Sequence, residues 1–148
     1  MHPFDAFPDA VQMLLGPTPG ETCRRGYGLV LMRKTGQTCC AYCGLDFAAS
    51  YENWLQMAVD HVVPKNICGN LSIPVEWYED CTNKVLACAT CNGFDNRFKQ
   101  APSDVCPASL EAFYALRDRI FSERRIRIAE RHRAEREYFA RRLWEQTG

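Results

Sequence analysis

Two pairs of cysteines with the same two-residue gap are the side chains most able to do chemistry in this 148-residue chain. Cys40 and Cys43 form the first pair, and Cys88 and Cys91 form the second. Thiolates at this spacing can both reach one tetrahedral ion at about 2.3 Å, which is the arrangement of closed structural zinc sites. The pattern therefore predicts that the four cysteines hold one structural Zn²⁺ between them.

The remaining cysteines have no such spacing. The total of nine is odd and the chain has no export signal, so metal binding is favoured over a disulfide framework. Cys39 is adjacent to Cys40 and is the alternative ligand, but the two-residue gap and the following Gly44 favour Cys40. We expect the other five to be small buried side chains: Cys23, Cys39, Cys68, Cys81 and Cys106.

Polar residues suited to phosphoryl chemistry lie between and beside the two pairs. Asp60 and His61 occur in "VDHVVPKN", Asn83 is separated from Cys88 by four residues, and Asn92 directly follows the second pair. A neutral histidine can accept a proton from water at physiological pH, and carboxylate and amide oxygens are the ligands that Mg²⁺ prefers. Each residue alone has an ordinary explanation, such as a turn asparagine or a solvated Asp-His pair.

Together, and in this order, these residues resemble the pattern of the HNH endonuclease family over about residues 37–98. The elements that match are the two cysteine pairs, Asp-His, a proline, the middle asparagine and the asparagine after the second pair: Cys40, Cys43, Asp60, His61, Pro64, Asn83, Cys88, Cys91 and Asn92. The resemblance implies an α+β fold with a ββα-metal, treble-clef-like core and structural zinc. It also implies metal-dependent hydrolysis of DNA.

The same resemblance assigns a role to each residue of the site. His61 is the general base, Asp60 and Asn92 hold one catalytic Mg²⁺ or Mn²⁺, and Asn83 hydrogen-bonds the histidine ring and orients it. The four thiolates hold Zn²⁺ that fastens the unit and does no chemistry. The alternative function is a catalytically inactive, zinc-stabilised module that binds DNA or protein.

The chain departs from the family in three places. Asn92 takes the position of the last histidine in the family pattern. The connection between His61 and Asn83 is longer than usual. Many members have a basic residue three positions after the last metal ligand, where this chain has Asp95, so a phosphate contact must come from Arg97 or Lys99 or be missing.

The elements that must position these residues are partly predicted by local pattern. "AVDHVV" (58–63) and "NKVLA" (83–87) are typical of strands, and a helix is expected from about Cys91 to before Pro102. In a regular strand Asp60 and His61 point to opposite faces, so both serve one site only if the strand ends nearby, as Pro64 predicts. Further helices are expected in residues 9–16 and 48–57, while residues 22–34 could be helix or strand.

From Pro107 onward nearly forty residues lack Pro and Gly, which predicts one long helix. We divide the chain into an N-terminal flanking segment (1–36), the zinc-bearing core (37–100) and a basic C-terminal helix (101–148). Residues 107–148 hold ten arginines against seven acids. The apolar stripe of the helix could pack on the zinc-bearing core, on a second copy of the chain or on a partner protein.

The arginines of the long helix have two possible interpretations. Arg117, Arg124 and Arg131 repeat every seven residues, so they could face the phosphates of DNA or form a solvated face paired with glutamates. His132 is expected to be a surface residue. The net charge of the chain is zero, and the sequence has no secretory signal or membrane-spanning run, so we expect a cytoplasmic protein.

Overall fold

The computed structural model describes Phe4, residues 26–94 and residues 100–146. The helix predicted in residues 9–16 and the thiol of Cys23 lie outside these ranges, as do Asp95, Arg97 and Lys99. None of the helices in the described ranges is both long and apolar enough to cross a membrane.

The fold mixes helices with one small sheet. The α-helices and strands of the described chain are α1 (Gly26–Thr35), α2 (Tyr51–Leu55), β1 (Met57–His61), α3 (Lys65–Asn70), α4 (Val75–Tyr78), β2 (Lys84–Cys88), α5 (Ala89–Gly93) and α6 (Leu110–Ala140). Two short 3-10 turns cover Cys81–Asn83 and Leu143–Glu145. The predicted α+β class, with a long C-terminal helix, is confirmed.

β1 and β2 form an antiparallel ribbon whose register runs from Met57 opposite Cys88 to His61 opposite Lys84. Both strands were predicted, because β-branched and apolar residues favour a buried ribbon. β1 ends at His61, and Pro64 caps the start of α3 three residues later. All five residues of β2 are buried, so both faces of this strand are covered by other parts of the chain.

The undecided segment 22–34 contains a helix, α1, that packs against the ribbon. Gly28 is buried at this contact, and a Cβ added there would lie 2.9 Å from Cε of Met57. The glycine that weakens the helical propensity is therefore the residue that lets α1 approach β1 closely. Leu31 is fully buried one turn later and anchors the helix in the core.

The long helix α6 has 31 residues and, at 1.5 Å per residue, is about 46 Å long. Its first turn is capped by Ser109, whose Oγ accepts a hydrogen bond from the backbone N–H of Ala112 at 3.1 Å. Ile128 is the last fully buried residue of α6, and Phe139, which fits the apolar period, is 64 % exposed. The last turns of α6 therefore extend beyond the core of the described chain.

Among the described residues two apolar clusters form the core, and α6 contributes to both. Phe121 and Ile128 pack with the ribbon and the cysteine region, whereas Phe113 and Ile120 pack with α3 and the segment after it. Side chains from residues 101–148 therefore lie in the same core as those from residues 37–100. The three segments named from the sequence therefore mark positions along the chain, and the second and third of them share a core.

Candidate metal centre and catalytic cleft

The four predicted zinc ligands converge at one end of the ribbon. The sulfur atoms of Cys40, Cys43, Cys88 and Cys91 all lie within 4.8 Å of one another. Four thiolates around a tetrahedral ion at 2.3 Å would have sulfurs roughly 3.8 Å apart, so this group fits a structural metal such as zinc. Cys39 is exposed and outside the cluster, so Cys40 and not Cys39 is the member of the first pair that can bind the metal with Cys43.

Backbone hydrogen bonds shape both cysteine pairs. The first pair turns through Gly44, whose N–H donates to the carbonyl of Cys40 at 2.9 Å and whose φ of +78° favours glycine. In the second pair Cys88 caps α5, and its Sγ accepts from the N–H of Cys91 at 3.3 Å. The N–H of Cys88 donates to Sγ of Cys40 at 3.3 Å, so the two pairs are joined directly.

Electrostatics also favour a cation in this cluster. Hydrogen bonds from the thiols of Cys88 and Cys91 lower the pKa of Cys40, whereas burial raises the pKa of Cys43 to about 11. Four closely packed sulfurs therefore cannot all be thiolates at neutral pH unless a positive ion compensates them. The predicted burial of the other cysteines holds for Cys68 and Cys81, but Cys39 and Cys106 are exposed.

A cleft of about 340 Å³ lies beside the second half of β1 and the start of α3. Three of the four predicted catalytic residues, Asp60, His61 and Asn92, line it together with Val59, Pro64, Lys65 and Asn66. Because β1 ends at His61, adjacent residues of the strand can face the same cleft. Asn83 is not among the lining residues.

Asp60 is held by two side chains from distant parts of the chain. Its Oδ2 accepts hydrogen bonds from the hydroxyl of Tyr42 and from Nη1 of Arg124, both at 2.8 Å. The carboxylate is 7 % exposed, and the arginine compensates the cost of burying its charge. Both of these hydrogen bonds go to Oδ2, so among the described residues Oδ1 is the oxygen of Asp60 that they leave unused.

His61 has a partner that local sequence pattern did not indicate. Its Nε2 lies 3.1 Å from Oε2 of Glu79, which belongs to the long connection between His61 and Asn83. An ionised carboxylate can only accept, so Nε2 carries the hydrogen and Nδ1 is the unprotonated nitrogen of the neutral ring. Burial lowers the pKa of His61 below its ordinary 6.5, although Glu79 acts to raise it.

Glu79 also pairs with two lysines. Its Oε1 lies 3.0 Å from Nζ of Lys65, and its Oε2 lies 3.1 Å from Nζ of the buried Lys84. Burial would raise the pKa of Glu79, but hydrogen bonds from His61, Lys65 and Lys84 lower it to about 2. Glu79 is therefore ionised at neutral pH and links His61 with Lys65, another residue that lines the cleft.

Asn83 does not make the predicted hydrogen bond to the His61 ring. Its Nδ2 donates to the carbonyls of Val63 and Tyr78, and its Oδ1 accepts from the N–H of Val63 at 3.0 Å. Both amide protons are thus used by the backbone, and the side chain is fully buried. Asn83 instead fixes the segment that follows His61, and it positions the histidine through the main chain.

The arginines at seven-residue intervals are mostly not on the surface. Arg117 and Arg124 are 7 % and 2 % exposed, and Nη1 of Arg117 donates to the carbonyl of Thr82 at 2.8 Å. Both interpretations, a patch that faces phosphates and a solvated face, are therefore wrong for Arg117 and Arg124. The two side chains lie on the inward face of α6. Arg131 is exposed and pairs with Glu135 at 2.9 Å.

His132 was expected at the surface, but it contacts the cysteine cluster. Its Nε2 lies 3.0 Å from Sγ of Cys91, and its ring packs edge-on against Phe94 with centroids 4.9 Å apart. The one local signal is its position four residues after the buried Ile128, which keeps it near the inward face of α6.

No family model and no curated protein matches the sequence, and no solved structure matches the fold.

Proposed function

We propose that this chain is a metal-dependent endonuclease of the HNH type that hydrolyses phosphodiester bonds of DNA. The observation that carries the proposal is the cleft that Asp60, His61 and Asn92 line together. The four-cysteine cluster, whose Cys91 directly precedes Asn92, supports the same assignment. β1, β2 and α5 would then form the ββα-metal unit, with the cluster as its structural Zn²⁺ site.

His61 is the general base in this proposal. Glu79 accepts a hydrogen bond from Nε2 and so leaves the lone pair of Nδ1 free to take the proton of an attacking water. The lowered pKa of His61 keeps the ring neutral at physiological pH, which is the form that a base needs. Glu79 also stabilises the imidazolium that forms, since its carboxylate is ionised and held by Lys65 and Lys84.

Asp60 and Asn92 are the residues that would hold a catalytic Mg²⁺ or Mn²⁺. Asp60 contributes Oδ1, because Oδ2 is engaged by Tyr42 and Arg124, and Asn92 contributes its amide oxygen. Such oxygens suit a hard cation that keeps several waters. When bound, the cation supplies stabilisation of the negative charge on the phosphoryl and leaving oxygens.

Lys65 supplies the positive charge that the cleft offers to a phosphate. It lines the cleft, its side chain is 64 % exposed, and it belongs to the connection that is unusually long in this chain. Its pairing with Glu79 keeps the ammonium group near His61. This lysine is a candidate for the phosphate contact left open by Asp95.

The second candidate function is a catalytically inactive, zinc-stabilised module that binds DNA or protein. The pair formed by Arg124 and Asp60 favours it, because a buried carboxylate that holds α6 in place has a packing role without any cation. In that case Asp60 would be retained for folding, and the cleft would be a binding surface only.

Cleavage of supercoiled plasmid by the zinc-loaded protein, with Mg²⁺ or Mn²⁺ added, separates the two candidates. We expect wild type to give nicked or linear DNA and His61→Ala to lose about 10²-fold or more of the rate, since a positioned base contributes that much. Lys34→Ala, an exposed substitution on α1, is the matched control and should cut like wild type. Absence of cutting by wild type with both cations would favour the binding module.

A further inference from the structure

His132 is the one residue of the long helix that touches the cysteine cluster through a polar atom in the described chain. Its Nε2 lies 3.0 Å from Sγ of Cys91, across a sequence separation of 41 residues. The ring is half-buried, and the edge-on contact with Phe94 restrains its orientation. Phe94 directly follows α5, so the His132 ring packs against the same segment that carries Cys91.

The chemistry of a filled cluster decides which atom donates. A thiolate bound to Zn²⁺ has no proton, so the hydrogen in the contact must belong to Nε2 of His132. Four thiolates around one dication leave two negative charges in excess. An N–H donor directed at a ligating sulfur stabilises this negative charge and holds the sulfur in its orientation towards the metal.

We propose that His132 is a fifth residue of the metal centre, a hydrogen-bond donor to the Cys91 thiolate that couples zinc binding to the docking of α6. The donors to Cys40 and Cys88 come from the backbone of the second pair itself. The donor to Cys91 comes instead from a separate helix, so its contact forms only when α6 is in place. By linkage, α6 docking then increases zinc affinity and zinc stabilises the docked helix.

The inference does not depend on the proposed nuclease activity, because it concerns only the cluster and α6. The test is a measurement of Zn²⁺ affinity by chelator competition at a fixed pH, for wild type, His132→Ala and His132→Gln. Loss of a partner of a metal ligand typically costs about 10- to 100-fold in affinity, and we expect that loss for His132→Ala. The Gln variant keeps an N–H donor and should recover part of it.

Arg133→Ala is the matched control, because Arg133 is the neighbouring residue of α6 and is exposed. It should bind Zn²⁺ with wild-type affinity. Co²⁺ substitution gives a second readout, since loss of the donor should move the thiolate-to-cobalt charge-transfer absorption in His132→Ala but not in Arg133→Ala. Equal Zn²⁺ affinity and identical Co²⁺ spectra for wild type and His132→Ala would overturn the proposal.

A measurement on the wild-type protein covers the case in which His132→Ala does not fold. In zinc-loaded protein carrying ¹⁵N-labelled histidine, Nε2 of His132 should have the chemical shift of a protonated nitrogen, and its hydrogen should exchange slowly with water. A pyridine-like shift at Nε2, which means that this nitrogen carries no proton, contradicts donation to Cys91 and ends the proposal.

Discussion

Arg124 on the long helix and Asp60 on the first strand form a buried ion pair, with Nη1 and Oδ2 2.8 Å apart across 64 residues of sequence. The same Nη1 donates to the carbonyls of His61 and Val62 at 3.1 and 3.2 Å. One guanidinium therefore fixes both the carboxylate and the main chain at the end of β1. The relation makes α6 a structural support of the cleft rather than a free nucleic-acid arm.

Arg124→Ala should destabilise the protein by about 3–5 kcal/mol, because it leaves the Asp60 carboxylate buried without its counter-charge. Urea unfolding at pH 7 measures the loss. Arg131→Ala is the control on the same helix: its pair with Glu135 is exposed, and about 0.5 kcal/mol or less is expected. Equal, small effects of the two substitutions would contradict the inward position of Arg124.

Glu79 should make the free energy of unfolding fall as the pH is lowered into the acid range. Its pKa is about 2 in the folded protein and ordinarily 4.5, so the folded state binds this proton less readily than the unfolded chain. The contribution is fully present above about pH 4.5 and is lost as the pH falls towards 2. The difference corresponds to on the order of 3 kcal/mol.

The comparison of wild type with Glu79→Gln isolates this contribution from that of other acids. Free energies of unfolding at several values between pH 7 and pH 3 should converge for the two proteins as the pH falls. Glu76→Gln, which changes an exposed acid on the neighbouring α4, should run parallel to wild type. If the Glu79→Gln curve also runs parallel, the three pairings of Glu79 do not form in solution.

The activity of the proposed nuclease should lose rate on the acid side below pH 6.5. Burial lowers the pKa of His61, so the neutral base persists to a lower pH than an exposed histidine would allow. In Glu79→Gln the midpoint of that acid limb should move lower still, because the hydrogen bond and charge of Glu79 raise the pKa of His61. The measurement is kcat/KM against pH on a DNA duplex, and an unmoved midpoint counts against the pairing.

Much of the fold follows from local pattern. The two strands, a short helix within residues 48–57 and the long helix were predicted because composition, periodicity and caps such as Ser50 act over a few residues. The pattern does not decide between helix and strand for α1 because its glycines weaken it, and the contact of Gly28 with Met57, which local pattern cannot show, explains that glycine. Spacing alone was sufficient to predict the cysteine cluster.

The parts of the site that were missed depend on contacts between distant residues. Glu79 reaches His61 across 18 residues and His132 reaches Cys91 across 41, and no helical or strand period links such positions. Arg117 and Arg124 had a usable signal, because they alternate with Phe113, Phe121 and Ile128 at spacings of three and four. Charge led to the surface interpretation, although the spacing placed them on the buried face.

Zinc binding should require the thiol of Cys40 but not that of the adjacent Cys39. Cys40→Ser removes a member of the four-sulfur cluster, so bound zinc should fall well below one ion per chain, with a loss of stability on the order of 4 kcal/mol or more. Cys39→Ser, at the exposed neighbour, should keep full zinc and change stability by no more than about 0.5 kcal/mol. Metal analysis and urea unfolding test both; zinc loss in Cys39→Ser alone would reverse the assignment.

Lys65 should act on substrate binding rather than on the chemical step of the proposed reaction. Lys65 lines the cleft, and Lys65→Ala would remove the proposed phosphate contact while Glu79 keeps its bonds to His61 and Lys84. We expect a higher KM with a smaller change in kcat, and a slope of log affinity against log salt reduced by about 1. Lys34→Ala, away from the cleft, is the control. An unchanged salt slope in Lys65→Ala would mean that phosphates do not bind beside Lys65, and the cleft would then need another cation to receive DNA.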